Sequence, residues 1–547
     1  MKKILFAVML AGVIFLVGCT GPSFETLNSS DGGVLIEKLL PKDVWFVLSV
    51  TTKNAGQRAE FENFINNFSS TDDFFAKVQE GFAGIGVNYD EDIKPIIGED
   101  GFRMVMAYAG TDNFVAMTVA DEVKAREWLD STVERGEASE LALSDFDVYV
   151  SQNDNGESYT ALLDDVLVVA SSSTVLMNAE GQLAVEDSES LFDNEEYMNG
   201  VSQIESPYLG YVYVDVAGYG EIGGDSLGIF SLGNILLKSE VIGFSFEDGA
   251  LLLSGYGVGD KEAIAEYGIS ISDISGEEVY LTKYVPAEGI AFYEEAGGFA
   301  KIVELFALKS GDAEGFYATL DSYATKYLGM DVREDVLSFL DKGYAIAVHK
   351  GADSLPYFSI IADASSNHDG ADDFVDRIDA QISSLVALFE YDESGAFSSL
   401  IKTEAEVMGG DFNVVSMDMA ALGQVMPTYS LTGMISLFYG VTEDDVLIIS
   451  TYPDWEVFSE ESSLLEDETF SDAIKAIKGY DNTIFYLDLA VVADYLGLVQ
   501  TAESVLSGSG TVSAEAGKIV EYLDSLNSAI FGVKAGEEEV GMRGIVR

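Results

Sequence analysis

Apolar and polar positions follow two regular patterns along this chain, and each pattern predicts a different element. Alternation with a period of two occurs in GFRMVMAY (101–108) and DNFVAMTVAD (112–121), which predicts two partner strands. Apolar positions spaced by three and four residues, as in FENFINNF (61–68), predict a helix. Strand patterns predominate and helical patterns lie between them. We therefore predict an α+β fold with a mostly antiparallel sheet.

The order of these elements occurs twice. The turn Asp164-Asp165 between two apolar runs has its counterpart in Asp444-Asp445, and the strand that contains Asp215 has its counterpart in the strand that contains Asp488. Other landmarks follow in the same order, and two copies indicate a duplication rather than a repeat array. The predicted modules, each a mostly antiparallel sheet with packed helices, are 34–266 and 277–547.

The clearest copy is a pair of stretches, 85–106 and 328–348. Each has an Asn or Asp followed three residues later by a Glu, the spacing of a helix capping box. In the first stretch Pro95 falls inside the helix, so we expect that helix to begin late, near Asp92, or to be a single turn. We interpret the acidic residues here as helix caps rather than as a site.

Alignment of the two copies then matches Gly101 with Gly343 and Phe114 with Phe358. In the second copy, Val336, Phe339 and Leu340 have the spacing of an apolar helix face.

The N-terminus has the features of a lipoprotein signal. Lys2 and Lys3 precede an apolar run, 4–17, that is too short to span a membrane comfortably. The sequence Leu16-Val17-Gly18-Cys19 resembles the lipobox of bacterial lipoproteins, which implies cleavage before Cys19 and attachment of lipid to it. The alternative is an ordinary secretory signal with an incidental cysteine.

We therefore predict a lipoprotein signal peptide, 1–18, and a polar tether, 19–33. The resemblance implies an extracytoplasmic protein anchored through Cys19 to the cell membrane or outer membrane. Since Cys19 is the only cysteine, the chain cannot form an internal disulfide.

The charge is strongly one-sided: 94 acidic residues stand against 29 basic residues, for a formal net charge of −65. Such a surface repels phosphates, which excludes nucleic acid as a partner. Three explanations remain open: solubility, a saline habitat in which salt screens the repulsion, and loose binding of divalent cations.

The motifs that could carry chemistry are incomplete. The segment 218–223 matches G-x-G-x-x-G but lacks the helix and the acidic residue that a dinucleotide site needs, so we interpret it as a loop. The segment 152–157 resembles a calcium loop, but Leu162 stands where a bidentate Glu is required, which favours a hairpin turn. His349 and His368 are the only histidines, and no nucleophile elbow accompanies them.

Asp215 and Asp488 are the most interesting carboxylates because they recur at the same place in both modules. A structural role is the simpler interpretation, either exposed on a strand or holding a loop by hydrogen bonds. The functional alternative is a paired acid site formed by the two modules. We predict no catalytic, cofactor-binding or metal-ligating residue, and no cofactor.

One family resemblance follows from the stretch 85–106, the first of the two matching stretches, here called the twin stretches. Its pattern G-x-[ND]-x-x-x-D-[IV]-x-P-x-x-G resembles that of the uncharacterised bacterial domain-of-unknown-function family 3352. The matching residues are Gly86, Asp92, Ile93, Pro95 and Gly98. The second module keeps Gly329 and Asp335. This family has no assigned activity, so the resemblance implies no catalytic residue.

The sequence leaves three functions open. The first is a non-enzymatic, lipid-anchored envelope protein with a binding or structural role, possible partners being another envelope protein or loosely bound divalent cations. The second is a carboxylate-based hydrolase of cell-envelope glycans. The third is a carrier of an apolar ligand, held between helices and sheet. The oligomeric state is not indicated.

Overall fold

The computed structural model describes residues 36–66, 93–98, 101–143, 146–153, 156–184, 190–205, 207–216, 236–276, 278–350, 356–389, 400–418, 434–452, 455–458, 463–494 and 523–547. The predicted signal peptide and tether lie outside these residues. The chain divides into two compact units, Met1–Asp260 and Lys261–Arg547, and each is described by itself. The division falls slightly before the boundary expected at 267–276.

The first unit has an antiparallel sheet. Its strands are β1 (Phe46–Thr51), β2 (Arg103–Ala109), β3 (Asp112–Thr118), β4 (Ala138–Leu143), β5 (Phe146–Asn153), β6 (Gly156–Leu163), β7 (Val166–Ala170), β8 (Gly210–Asp215), β9 (Leu237–Glu247) and β10 (Ala250–Gly259). Across the sheet they are ordered β10–β9–β8–β1–β2–β3–β7–β6–β5–β4. The helices are α1 (Ala55–Asn66), α2 (Lys94–Ile97), α3 (Glu122–Glu134), α4 (Ser173–Ala184) and α5 (Glu195–Gln203), with 3-10 turns at Ile36–Leu39 and Leu191–Asp193.

The second unit has a sheet of the same kind. Its strands are β11 (Gly289–Glu295), β12 (Tyr344–His349), β13 (Tyr357–Asp363), β14 (Ile401–Val407), β15 (Gly410–Asp418), β16 (Met434–Val441), β17 (Val446–Ser450), β18 (Thr483–Asp488), β19 (Ser528–Ala535) and β20 (Glu539–Val546). Its helices are α6 (Lys261–Tyr267), α7 (Ile271–Ser275), α8 (Phe299–Lys309), α9 (Ala313–Leu328), α10 (His368–Phe389) and α11 (Glu468–Ala476). Shorter turns lie at Leu281–Tyr284, Val332–Val336, Trp455–Val457 and Leu464–Glu466.

The strand order of the second unit is β20–β19–β18–β11–β12–β13–β17–β16–β15–β14, which repeats the order of the first unit strand for strand. Even the isolated bridges correspond, Pro41 to Ser190 in one unit and Pro286 to Ser463 in the other. The predicted α+β class with antiparallel sheets is confirmed. Shared topology is what a duplication would produce, and the duplication itself stays a prediction.

The sheet of the first unit is packed on both sides. One side, here called the first face, carries Val47, Val105 and Tyr211 and packs against the 3-10 turn Ile36–Leu39. The other side, the second face, carries Met104 and Met117 and packs against α2 and α3. The same two faces exist in the second unit, where α10 covers one end of the second face around Tyr439 and Leu447.

The second of the twin stretches forms less helix than the pattern suggested, while the capping pair of the first, Asn88 and Glu91, lies outside the described residues. Pro95 lies in the first turn of α2, which is a single turn, as the sequence predicted. In the second unit Asp331 accepts a hydrogen bond from the Glu334 N–H at 2.9 Å, which confirms its capping role. The helix that it caps ends at Val336, so Phe339 and Leu340 do not continue it, contrary to the prediction. Phe339 is instead fully buried, in the cluster under α10.

Candidate functional site

Two sequence candidates, Cys19 and the glycine-rich segment 218–223, lie outside the described residues. The segment 152–157 is described at both ends, where Asn153 pairs with Gly156 across β5 and β6. The predicted hairpin is confirmed, and the Gln152 side chain donates to Glu157 across it at 2.8 Å.

His349 lies in the core of the second unit. Its Nε2 is 2.8 Å from the Ser359 hydroxyl, which is 2.7 Å from the Ser450 hydroxyl. The ring is fully buried against Tyr452 and Phe458, and burial lowers the pKa of His349 to about 4. This neutral, enclosed imidazole is a packing residue, since a substrate could not reach it.

His368 has a different structural task at the start of α10. Its two ring nitrogens lie 2.9 Å from Asp445 and 3.2 Å from Asp372. Asp445 belongs to the tight turn between β16 and β17, where its φ is +61°. His368 therefore joins this turn to the helix.

Asp215 and Asp488 occupy the same register position in the two sheets, the last residue of β8 and of β18. Asp488 accepts a hydrogen bond from the Val491 N–H at 3.0 Å, the geometry of a helix N-cap, and helical residues follow it. A helical residue also follows Asp215 directly. The recurrence is thus explained by the strand-to-helix transition, the loop-holding role considered from the sequence.

A buried ion pair that sequence reasoning missed lies on the first face of the first unit. Arg103 of β2 makes a two-pronged contact with Glu37 of the 3-10 turn, and its Nη2 also donates to Ser49 at 3.1 Å and Tyr211 at 3.0 Å. Tyr197 of α5 adds a hydroxyl 3.2 Å from the same carboxylate. Burial favours a higher pKa for Glu37, but the charge and hydrogen bonds of Arg103 outweigh it and hold the pKa below its usual value.

The second unit also has a buried carboxylate on its first face, that of Glu294, but this carboxylate has no arginine partner among the described residues. Glu294 stands at the sheet position of Ser49, and its carboxylate accepts hydrogen bonds from the backbone of Tyr280, Leu281 and Thr282 and from the Thr282 hydroxyl. It therefore caps the 3-10 turn Leu281–Tyr284, where the first unit uses an ion pair. Both arrangements satisfy buried groups, which is a structural function.

Glu295, the next residue, points to the second face. Tyr293 and Thr483 donate to its Oε2 at 3.0 and 2.9 Å, while its buried Oε1 has no hydrogen-bond partner among the described residues. Burial raises the pKa of Glu295 to about 8, although these hydrogen bonds act to lower it. Glu295 is thus mostly protonated at neutral pH.

A polar groove of about 590 Å³ opens in the first unit beside β6 and β7. Its wall includes Asn113, Ser158, Tyr159 and Glu157. Glu157 is the one carboxylate among the described lining residues, and it already accepts hydrogen bonds from Gln152 and Tyr159. A glycosidase needs two carboxylates, so the groove does not supply that chemistry from its described lining.

The described part of the chain also lacks a cluster of metal-ligating side chains. No group of three or more His, Cys, Asp and Glu side chains is arranged there to hold an ion. Within the same ranges, no helix is both long and apolar enough to cross a membrane.

The most distinctive surface among the described residues is a part of the second face in the second unit that carries exposed apolar side chains. Here Phe485, Tyr293, Ile346 and Ile360 lie directly opposite one another across β18, β11, β12 and β13. Ile346 is 44% exposed, Ile360 47% and Phe485 37%, and the neighbouring Phe358 is 52% exposed. We call these five residues the open face.

The corresponding row of the first unit is covered. Leu48 and Met106 stand where Tyr293 and Ile346 stand in the second unit, and they are only 7% and 2% exposed. Part of that face is closed by α1, whose Phe61 and Phe64 rings lie 5.1 and 5.2 Å from the Phe246 ring of β9. A large exposed apolar patch on a folded unit is typical of an interaction surface.

The helix at the corresponding place in the second unit packs elsewhere. Ala300 of α8 donates its N–H to the Leu340 carbonyl at 2.9 Å, and the Phe299 ring packs on Tyr344 at 5.5 Å. The sheet position of Phe246 is taken by Ala535, whose N–H is bound by the Asn482 side chain at 2.8 Å. The contacts that hold α1 on its sheet are therefore replaced in the described part of the second unit, where Ile346, Ile360, Phe358 and Phe485 are exposed.

Comparison with solved structures finds weak likeness to crystal forms of TP0453. Form IV shares 10% identity with a TM-score of 0.25, over 42% of this chain and 83% of that chain. Form III shares 11% identity with a TM-score of 0.25, over 42% and 80%.

Curated proteins provide no match to this chain. The family model described as a protein of unknown function, DUF3352, matches residues 4–506, nearly the whole chain. That description assigns no enzymatic activity. The resemblance drawn from the twin stretch is thereby confirmed, and the chain belongs to the DUF3352 family.

Proposed function

We propose that this chain is a non-enzymatic, extracytoplasmic envelope protein, anchored through lipid on Cys19, that acts by binding a partner on its second unit. The observation that carries the proposal is the open face. Four large apolar side chains exposed to water do not stabilise the folded unit, whereas fully burying each one would stabilise it by about 1.5–3 kcal/mol. Covering them on binding supplies the driving force for an interaction.

The chemistry-bearing residues support binding rather than catalysis. His349 and Glu294 are enclosed and occupied by packing and hydrogen bonds. Asp488 caps a helix, and Glu157 is held by two neighbours. A hydrolase would need two free carboxylates facing one cleft.

A carrier of an apolar ligand is the second candidate, because the same open face would also receive a small apolar molecule. Such sites are usually concave and enclose most of the ligand. The open face is a sheet surface on which four of the five side chains are 37–52% exposed, which suits a large partner better than a small one.

Photo-cross-linking in the native envelope tests the proposal. A photoreactive p-benzoylphenylalanine replaces Phe358 or Phe485 in the open face, or Phe192, which is 38% exposed in the first unit, as the matched control. We expect a discrete adduct from the two open-face positions and none from the control. Absence of an adduct at both open-face positions, or the same adduct at all three, would show that the face binds nothing.

The anchor has its own test. Cys19→Ala removes the sulfur that the lipobox resemblance assigns to the lipid. We expect the variant to lose metabolic labelling with palmitate and to retain an uncleaved signal. Unchanged labelling would show that Cys19 is not the lipidated residue.

A further inference from the structure

We infer that the partner of the open face is a basic amphipathic helix of another protein, an inference that rests on the proposed function. The first argument is the backbone of the sheet. Each strand that carries the open face is paired on both sides: β11 with β12 and β18, β12 with β13, β13 with β17, and β18 with β19. No edge is free there for an added strand, so the partner must bind through side chains. A helix suits this because its backbone is already hydrogen-bonded.

The second argument is the size of the apolar row. The row continues from Phe485 to Phe531 on β19 and ends at Ile360 on β13, because Ile449 on β17 already packs against the cluster under α10, so the row crosses five strands. At about 4.8 Å between strands, it is about 19 Å long. A helix of about 13 residues has the same length. One apolar stripe of such a helix would cover the row.

The third argument is the equivalent face of the first unit, one end of which this chain covers with its own helix. Phe61 and Phe64 of α1 are three residues apart and pack on Phe246, while Gln57 hydrogen-bonds both the N–H and the C=O of Phe246 at 2.7 and 3.0 Å. The second face of this sheet therefore accepts a helix with aromatic residues on one stripe. In the second unit, Ile346 and Ile360 of the same face are 44% and 47% exposed, so a helix from outside can pack on them.

The fourth argument is charge. The chain carries a formal charge of −65, so it attracts a cationic partner and repels an anionic one. A second copy of the chain would bring the same negative charge, and an anionic bilayer would be repelled as well. A helix with an apolar stripe and Lys or Arg on its other side satisfies both the apolar row and the charge.

The test uses the chain from Thr20 onward, which keeps every described residue and lacks acyl chains that could cover the face. Three labelled 16-residue peptides are the probes. The first has Leu and Phe at helical spacing with Lys elsewhere, the second has Glu in place of Lys, and the third is the first with its order scrambled. Binding is measured by fluorescence anisotropy at low and moderate salt.

The face is tested with the double substitution Ile346→Thr/Ile360→Thr, which keeps β-branched side chains in both strands. Ile401→Thr is the matched control, since Ile401 is 55% exposed on β14 outside the row. We expect the basic amphipathic peptide to bind at least about tenfold more tightly than the other two. The double substitution should weaken this binding about tenfold or more, and Ile401→Thr should leave it unchanged. Circular dichroism checks that the variants fold.

Each contrary result overturns the inference. If the scrambled peptide binds as tightly as the amphipathic one, charge alone drives binding. If the double variant binds the amphipathic peptide as tightly as Ile401→Thr does, the open face is not the binding surface. Binding of the neutral probe N-phenyl-1-naphthylamine, lost in the double variant, with no peptide binding would favour the carrier. If cross-linking at Phe358 succeeds and the peptides fail, the basic helix is wrong and the proposed function stands; if cross-linking fails too, the proposed function falls.

Discussion

Tyr293 and Ile346 lie directly opposite each other on β11 and β12, and in the first unit the same two positions hold Leu48 and Met106. The sheet is the same, but Ile346 is 44% exposed where Met106 is 2% exposed. The two units therefore differ less in topology than in what covers their second face. This difference makes the second unit the place where binding is expected.

The pair Met106 and Ile346 gives the first prediction. Met106→Thr removes a buried side chain and places a hydroxyl in its site, so we expect a loss of about 2–4 kcal/mol in the free energy of unfolding of the first unit. Ile346→Thr acts on an exposed position and should change the second unit by no more than about 0.5 kcal/mol. Hydrogen-exchange mass spectrometry measures the two units separately. Equal losses in both would mean that Ile346 is covered in solution.

Periodicity was sufficient to predict the α+β class, the antiparallel sheets and the turns, because these depend on local patterns. The open face could not be predicted, and one alignment shows why. The sequence matches Phe114 with Phe358, but the strand registers place Phe114 with Ser359, one residue later. A shift of one residue in a strand reverses the face. Phe114 is 4% exposed and Phe358 is 52% exposed, so the sequence match hides the exposed side chain.

Long-range contacts were also beyond sequence reasoning. Glu37 and Arg103 are 66 residues apart and nothing local pairs them. The sequence alignment paired Gly101 with Gly343, whereas the strand registers pair Arg103 with Gly343. The alignment therefore did not show that the position of Arg103 is a glycine in the second unit. The second unit therefore lacks this arginine, and Glu294 makes its own backbone contacts.

The ion pair of Glu37 and Arg103 gives the second prediction. Arg103→Met leaves Glu37 buried without its cation, and we expect a loss of about 3–5 kcal/mol in the stability of the first unit at pH 7. Because the pKa of Glu37 is held low in the folded state, the stabilisation by its ionised form is present above its unfolded pKa. That stabilisation is lost as pH falls through the folded pKa, so the deficit of the variant should shrink in acid.

Urea unfolding followed by hydrogen exchange measures this deficit. Arg126→Met is the matched control, since Arg126 and Asp147 form an exposed pair for which about 0–1 kcal/mol is expected. The double variant Glu37→Gln/Arg103→Met removes both charges and should recover part of the loss. A deficit as small as that of the control would mean that Glu37 is not ionised in the folded unit.

His349 gives the third prediction. Burial holds its folded pKa at about 4, below its unfolded value, so the unfolded chain binds the proton more readily. Stability is therefore lost as pH falls from the unfolded pKa towards 4, by about 2 kcal/mol at pH 5 for this one group. The loss should disappear in His349→Gln when the second unit is compared at pH 7 and pH 5. His368→Gln removes the other histidine, and the loss should remain; if it vanishes there instead, His349 is not the group that titrates.

Glu295 gives the fourth prediction, with the opposite dependence on pH. Its folded pKa of about 8 lies above the unfolded value, so its contribution is fully present below the unfolded pKa and is lost as pH rises through 8. At pH 7 this raised pKa lowers the free energy of unfolding by about 3 kcal/mol relative to low pH. Glu295→Gln keeps a neutral group of the same shape, so we expect the second unit to become more stable than the parent at pH 8 and to differ little from it at pH 5.

The exposed Glu404→Gln of β14 is the matched control and should follow the parent at both pH values. The same titration also tests whether Glu295 senses the open face, because Tyr293 donates a hydrogen bond to it and belongs to that face. A partner that covers Tyr293 removes water from the carboxyl and should raise its pKa further. Binding should then weaken as pH rises past 8 in the parent and not in Glu295→Gln. An equal pH dependence of binding in both chains would show that Glu295 stabilises the fold without being coupled to the partner.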